Sequence, residues 1–142
     1  MTAVYDREEL RFRYPENWLI DEDPSSGVPR TISVTANNGA FWSATIYDES
    51  SSAQELQKEY LETFQAEYED LEMDPVEIKV GDQYISALDL QFYCLDFLVH
   101  SRLIVREIGS YRVLIAWQAE DRDFGELEPI FEAITFSAMI PQ

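Results

Sequence analysis

The feature that most limits the fold of this chain is a series of period-two apolar runs broken by very short turns. Val76, Ile78 and Val80 alternate with Glu77 and Lys79 before Gly81-Asp82. Leu88, Leu90, Phe92 and Cys94 alternate with Ala87, Asp89, Gln91 and Tyr93. A third run spans Leu98 to Glu107. After Gly109-Ser110 a fourth runs from Tyr111 to Ala119, with Tyr111, Val113, Ile115 and Trp117 on one face. Side chains alternate sides along a strand, so each run reads as a half-buried strand. Connections this short join antiparallel neighbours, because parallel strands need a crossover of about a dozen residues or more.

The first half repeats the theme. Leu10, Phe12 and Tyr14 alternate with Arg11 and Arg13, and Pro15 ends that strand. Trp18-Leu19-Ile20 resumes extended structure, and Asp21 to Arg30 reads as an acidic loop containing Pro, Ser and Gly. Ile32, Val34 and Ala36 alternate with Thr31, Ser33 and Thr35. The turn signal Asn37-Asn38-Gly39 follows, and then Trp42, Ala44 and Ile46 alternate with Phe41, Ser43, Thr45 and Tyr47.

Two segments break the period. Ser52 followed by Glu55 fits a helix capping box, and Leu56, Tyr60, Phe64, Tyr68 and Leu71 recur at steps of four or three. Pro75 is expected to close this helix. Near the end, Asp121 or Asp123 can cap a second helix whose buried stripe is Leu127, Ile130, Phe131 and Ile134. Pro129 fits best in a first turn, so Phe124–Glu128 is expected as a separate turn. The reading is α+β: a single antiparallel sheet of about six strands flanked by helices, an α/β/α sandwich, as one domain over residues 1–142.

Charge narrows the functions. The sequence holds 10 Lys and Arg against 28 Asp and Glu, a formal net charge of −18. So acidic a surface repels phosphate backbones and anionic lipid heads, so no nucleic-acid or membrane partner is expected. Charges arrive at Asp6, and no apolar stretch of signal-peptide or membrane-helix length follows. A cytoplasmic location is the expectation. With one cysteine, Cys94, no internal disulfide can form.

The segment Phe12-Arg13-Tyr14-Pro15-Glu16-Asn17-Trp18 resembles the Phe-x-Tyr-Pro-x-x-Trp opening of the PsbP-like superfamily. That superfamily includes the photosystem II extrinsic subunit, the Ran-binding Mog-type proteins and the bacterial DcrB-like group. The long helix after the second hairpin, the Gly81 turn, Gly109-Ser110-Tyr111 and the final Phe131-Glu132-Ala133-Ile134 run follow in the same order. The resemblance implies a PsbP/Mog-like fold and a non-enzymatic binder. Its members dock on photosynthetic complexes or a small GTPase, and some bacterial relatives act as secretion chaperones.

Signals for chemistry are sparse. Catalytic, cofactor-binding and metal residues are all assigned as none. His100 and Ser101 are strand neighbours and point to opposite faces, so they form no dyad. Cys94 is in phase with Leu88, Leu90 and Phe92 and reads as a buried small hydrophobe. Asp21, Glu22 and Asp23 form an acidic cluster without calcium-loop spacing and read as a solvated loop. The five glycines are isolated and make no phosphate-binding fingerprint.

The strands are expected to share an apolar face of Ile32, Val34, Trp42, Ile46, Leu88, Leu90 and Phe92. Their other face would carry Phe41, Tyr47, Tyr93, His100, Arg102 and Arg106, a polar and aromatic patch of the kind favoured at protein interfaces. The functional expectation is an adaptor module binding a protein partner through that face. A homodimer would use the same residues. Two rivals stand beside it: a chaperone-like carrier with an apolar groove for a client segment, and a small-ligand binder or enzyme with a carboxylate pocket.

Overall fold

The computed structural model describes residues 1–24 and 27–140. In chain order the elements are β1 (Thr2–Asp6), β2 (Arg11–Pro15), β3 (Leu19–Glu22), β4 (Arg30–Thr35), β5 (Phe41–Asp48), α1 (Ala53–Glu67), β6 (Glu72–Val80), β7 (Gln83–Cys94), β8 (Phe97–Ile108), β9 (Tyr111–Glu120) and α2 (Asp121–Met139). Residues 25 and 26 of the expected Asp21–Arg30 loop lie outside the described residues. Asp21 and Glu22, expected in that loop, belong to β3.

Strands β3 to β9 form one seven-stranded antiparallel sheet in the order β3-β4-β5-β9-β8-β7-β6. The sheet is thus larger than the six strands expected, and β1 and β2 add a separate antiparallel pair. After β5 the chain crosses one face through α1 to the far edge. The meander β6-β7-β8-β9 then returns until β9 pairs with β5. That closure places Trp42 opposite Trp117, both fully buried.

Residues paired across strands share a face. Val34, Trp42, Trp117, Arg102 and Asp89 form one such row, beneath α2 and the β1–β2 pair. Leu88, Leu90, Phe92, Leu103 and Leu114 face α1 on the other side. The single apolar face expected from Ile32 to Phe92 is therefore two faces. Both sides of this sheet are covered by helices, so either phase of a strand can be apolar. Only the cross-strand register decides which side each phase meets.

Helix α1 starts where the sequence signals it, with Ser52 Oγ accepting the Glu55 N–H at 3.4 Å. It ends at Glu67, and Tyr68 turns to extended backbone, so Leu71 and Pro75 lie beyond the helix. Pro75 sits inside β6, the edge strand, where one side of the strand needs no ladder donor. Cys94 is also displaced from expectation. It is exposed at the last residue of β7, where α1 no longer covers the strand.

Helix α2 runs unbroken through Pro129. The proline removes the N–H that would bond Gly125, a defect of about 3 kcal/mol in a helix interior. Phe124 before it and Phe131, Ile134 and Ala138 after it are all buried on the same core. Keeping those four in one phase outweighs the lost bond. A buried polar contact keys the second half of the helix to the sheet: Trp42 Nε1 donates to Thr135 Oγ1 at 2.9 Å, and that hydroxyl donates to the Phe131 carbonyl at 2.8 Å. Replacing Thr135 with valine keeps the shape and strands the indole donor. Urea unfolding should show a loss of about 1–3 kcal/mol. A Trp42→Phe change in the same background should add less than it does in the wild type.

Candidate functional site

The six residues expected on one face occupy two, each covered in part by a helix. Phe41 and Tyr47 lie on the α1 side, in register with Gln118 and Arg112. Tyr93, His100, Arg102 and Arg106 lie on the α2 side. Tyr93 is 55% exposed, whereas Arg102 is buried at 8%. The reason is the register again, together with the first turns of α2, which lie over His100 and Arg102.

Those two residues form a structural knot. Asp89 on β7 receives two hydrogen bonds from Arg102 on β8, at 2.6 and 3.0 Å, and lies 3.0 Å from His100 Nε2. Arg102 also donates to Glu128 of α2 at 2.8 Å. The Phe124 ring stacks on His100 with centroids 3.8 Å apart and lies 5.3 Å from the Arg102 guanidinium. Gln91 donates to Asp121 at 3.1 Å. Burial pushes the Asp89 carboxyl up, but hydrogen bonds from His100 and Arg102 and the Arg102 charge outweigh it and hold it below the usual carboxylate range. Beside the knot a trough of about 560 Å³ opens to Glu72, Met73 and Asp74.

The larger concavity is elsewhere. A groove of about 770 Å³ runs between β2 and the second half of α2. Its helix wall is Pro129, Ile130, Ala133, Phe136, Ser137 and Ile140, and its strand wall is Arg11 to Pro15. Phe136 and Ile140 are each 44% exposed there. The Arg13 N–H donates to Ser137 Oγ at 2.9 Å, which fixes β2 against the helix. Gly81 is the seat of the Phe136 ring, since a Cβ there would lie 2.3 Å from it, and its φ of +61° favours glycine independently. Arg11 pairs with Asp6 at 3.9 Å. Arg13 lines the groove, and its guanidinium makes no ion pair among the described residues.

Two features hide this groove from the sequence. β1 is a short strand whose alternation is submerged among the charged residues that follow it. The exposed stripe Pro129, Ala133, Phe136 and Ile140 lies beside the buried stripe of the same helix, and its spacing of three or four was the available signal.

The Asp89 knot has a pH signature. Its carboxyl titrates lower in the folded chain than in the unfolded one, so its contribution is present above about pH 4 and lost as pH falls through the folded value. Asp89→Asn should destabilise the protein by about 3 kcal/mol at neutral pH, because it leaves Arg102 buried and short of a partner. That deficit should shrink in acid, where the wild type protonates too. Denaturant melts of both proteins between neutral and acid pH measure it.

No family model matches the sequence, and comparison with curated proteins finds no significant relative. Solved structures do match. The Pseudomonas aeruginosa protein of unknown function PA94 aligns at 15% identity and TM-score 0.54, covering 99% of this chain and 97% of that one. Cyanobacterial PsbP (CyanoP) from Synechocystis sp. PCC 6803 aligns at 11% identity and TM-score 0.62, covering 96% and 90%. A Bacteroides thetaiotaomicron protein aligns at 13% identity and TM-score 0.61 over 94% of this chain but 46% of its own length. At such identities the likeness speaks to architecture, and that architecture is the one expected from the Phe12 to Trp18 opening: the chain has the PsbP-like fold.

Proposed function

We propose that this chain is a protein-interaction module that holds an apolar, carboxylate-bearing segment of a partner protein in the groove between β2 and α2. The observation that carries the reading is the pairing of apolar walls with Arg13, whose guanidinium makes no ion pair among the described residues, in a chain of net charge −18. Pockets with apolar walls and a few placed polar groups are the usual form of a binding site. A cation kept free of the surrounding acids selects a partner that brings its own acid.

This reading moves the expected protein-binding role from the sheet face to the groove. It also joins it to the carrier role expected as its rival, since that role requires an apolar groove. A carboxylate-based site has less support. The trough carboxyl with a resolved shift, Asp89, is pushed down rather than up, and both its oxygens already take bonds from Arg102. Glu132 is shifted up, by burial and then by Glu128, but it lines neither concavity.

A displayed library of short random peptides, selected on the purified protein, tests the proposal. Selected peptides should combine Leu, Ile or Phe with Asp or Glu. Ala133 is an exposed wall residue, and Ala133→Asp puts a carboxylate in the groove that competes for Arg13. That variant should lose at least about tenfold in affinity with no change in melting temperature. Arg13→Ala should weaken binding of the acidic peptides and leave purely apolar ones unaffected. Selected peptides that bind wild type and Ala133→Asp equally, or a library that yields none, would overturn the groove as the binding surface.

A further inference from the structure

Three hairpin turns in the large sheet have the same construction. β6–β7 is joined by Gly81-Asp82, β8–β9 by Gly109-Ser110, and β7–β8 by Leu95-Asp96. The first residue of each is left-handed, with φ of +61°, +59° and +58°. Two of the three use glycine, which is indifferent to that conformation. The third uses leucine, for which it is strained. Leu95 is the only residue other than glycine with positive φ among the described residues.

Leucine gives nothing to its own fold in return. It is 89% exposed, and Tyr93 and Phe97 beside it are 55% and 52% exposed. Glycine would satisfy the turn better and remove an apolar side chain from water. A strained, exposed, apolar residue at the end of a stiff hairpin is explained by a contact outside the chain. The tip also carries a carboxylate, Asp96, between Leu95 and Phe97. That is the chemistry the groove selects: apolar side chains flanking an acid, opposite apolar walls flanking Arg13.

Tip and groove lie at opposite ends of α2. The tip borders the start of the helix, sharing a hollow with Glu120, Asp121 and Arg122, while the groove extends from Pro129 to Ile140. A rigid hairpin cannot reach the groove of its own chain. We infer that the β7–β8 tip of one copy seats in the β2–α2 groove of a second copy, with Asp96 against Arg13. The inference rests on the groove being a segment-binding surface and names its occupant when no client is present. A client segment would then displace the tip, and the apolar groove would be covered in either state.

Sedimentation velocity over a concentration series tests the pairing, using the full chain. The wild type should self-associate, and Leu95→Gly should raise the dissociation constant at least about tenfold. Measured at a dilution where both are monomeric, the melting temperature of Leu95→Gly should equal or exceed the wild-type value, because glycine suits the turn. Ala133→Asp should also be monomeric. Mixing the two variants should restore a one-to-one complex, since the first keeps an intact groove and the second an intact tip. Asp96→Arg combined with Arg13→Asp should recover association that each change alone removes. A wild type that stays monomeric overturns the pairing while leaving peptide capture by the groove untouched. Association that survives Leu95→Gly overturns it as well, by placing the interface elsewhere.

Discussion

Two buried guanidiniums hold the second layer of this protein onto its sheet. A charge taken out of water is tolerated only where partners surround it. Arg102, on β8, meets that condition by joining Asp89 on β7 to Glu128 on α2, with Phe124 over its face. Arg30, on β4, meets it in part, with Glu9 of the β1–β2 connection at 3.2 Å and the Tyr5 hydroxyl of β1 at 3.4 Å, while its Nε has no partner among the described residues. Tyr5 in turn donates to Glu22 on β3. Each arginine thus fastens a different piece of the covering layer on the same face, one towards each edge of the sheet. The helix is tied down over β7 and β8, and the β1–β2 pair over β4 and β3. The seam between those two pieces is closed underneath by Phe12, Ile134 and their neighbours, and bridged by Arg13 and Ser137. Above that bridge it stays open, and the opening is the groove. The concavity is a consequence of separate anchoring, with no dedicated loop to build it.

How much of this the sequence discloses follows from which forces are local. The Gly81 and Gly109 turns, the Asn37-Asn38-Gly39 turn and the Ser52 cap were legible because each is settled within a few residues. The α+β class and the antiparallel pairing followed from them. The face assignment was not legible. Leu90 and Trp42 both sit in clean alternating runs, yet they point to opposite sides, and that depends on how the β7–β8 hairpin, where Leu90 pairs with Ser101, is joined to β5 through the distant pairing of Trp42 with Trp117. The unbroken α2 was hidden for a related reason. Pro129 carries a strong local signal, and it is overruled by core contacts of Phe124 and Phe131 that local pattern does not weigh. The candidate site suffered most. His100 and Arg102 look like a surface patch until the helix that begins at Asp121 is laid over them.

The charge of the chain acts against the proposed contacts at long range and for them at short range. A body of net charge −18 repels an acidic segment, and repels its own copies more strongly. At physiological ionic strength that repulsion is screened beyond about 8 Å, so it slows encounter more than it weakens a formed contact. Within the groove the charged lining residues among those described are Arg11 and Arg13, the latter without an ion pair among them, and the helix wall from Pro129 to Ile140 is apolar apart from Ser137. Contacts there form against a repulsive approach and are held by burial of apolar surface. Added salt should therefore first favour association by relieving the repulsion, and oppose it only when the Arg13 contact is itself screened. The same acidity guards the exposed walls from indiscriminate use. An apolar segment lacking an acid gains the walls but leaves the Arg13 charge unmatched. A strongly acidic segment lacking apolar side chains meets the repulsion with too little burial to offset it. What remains is the narrow class that carries both.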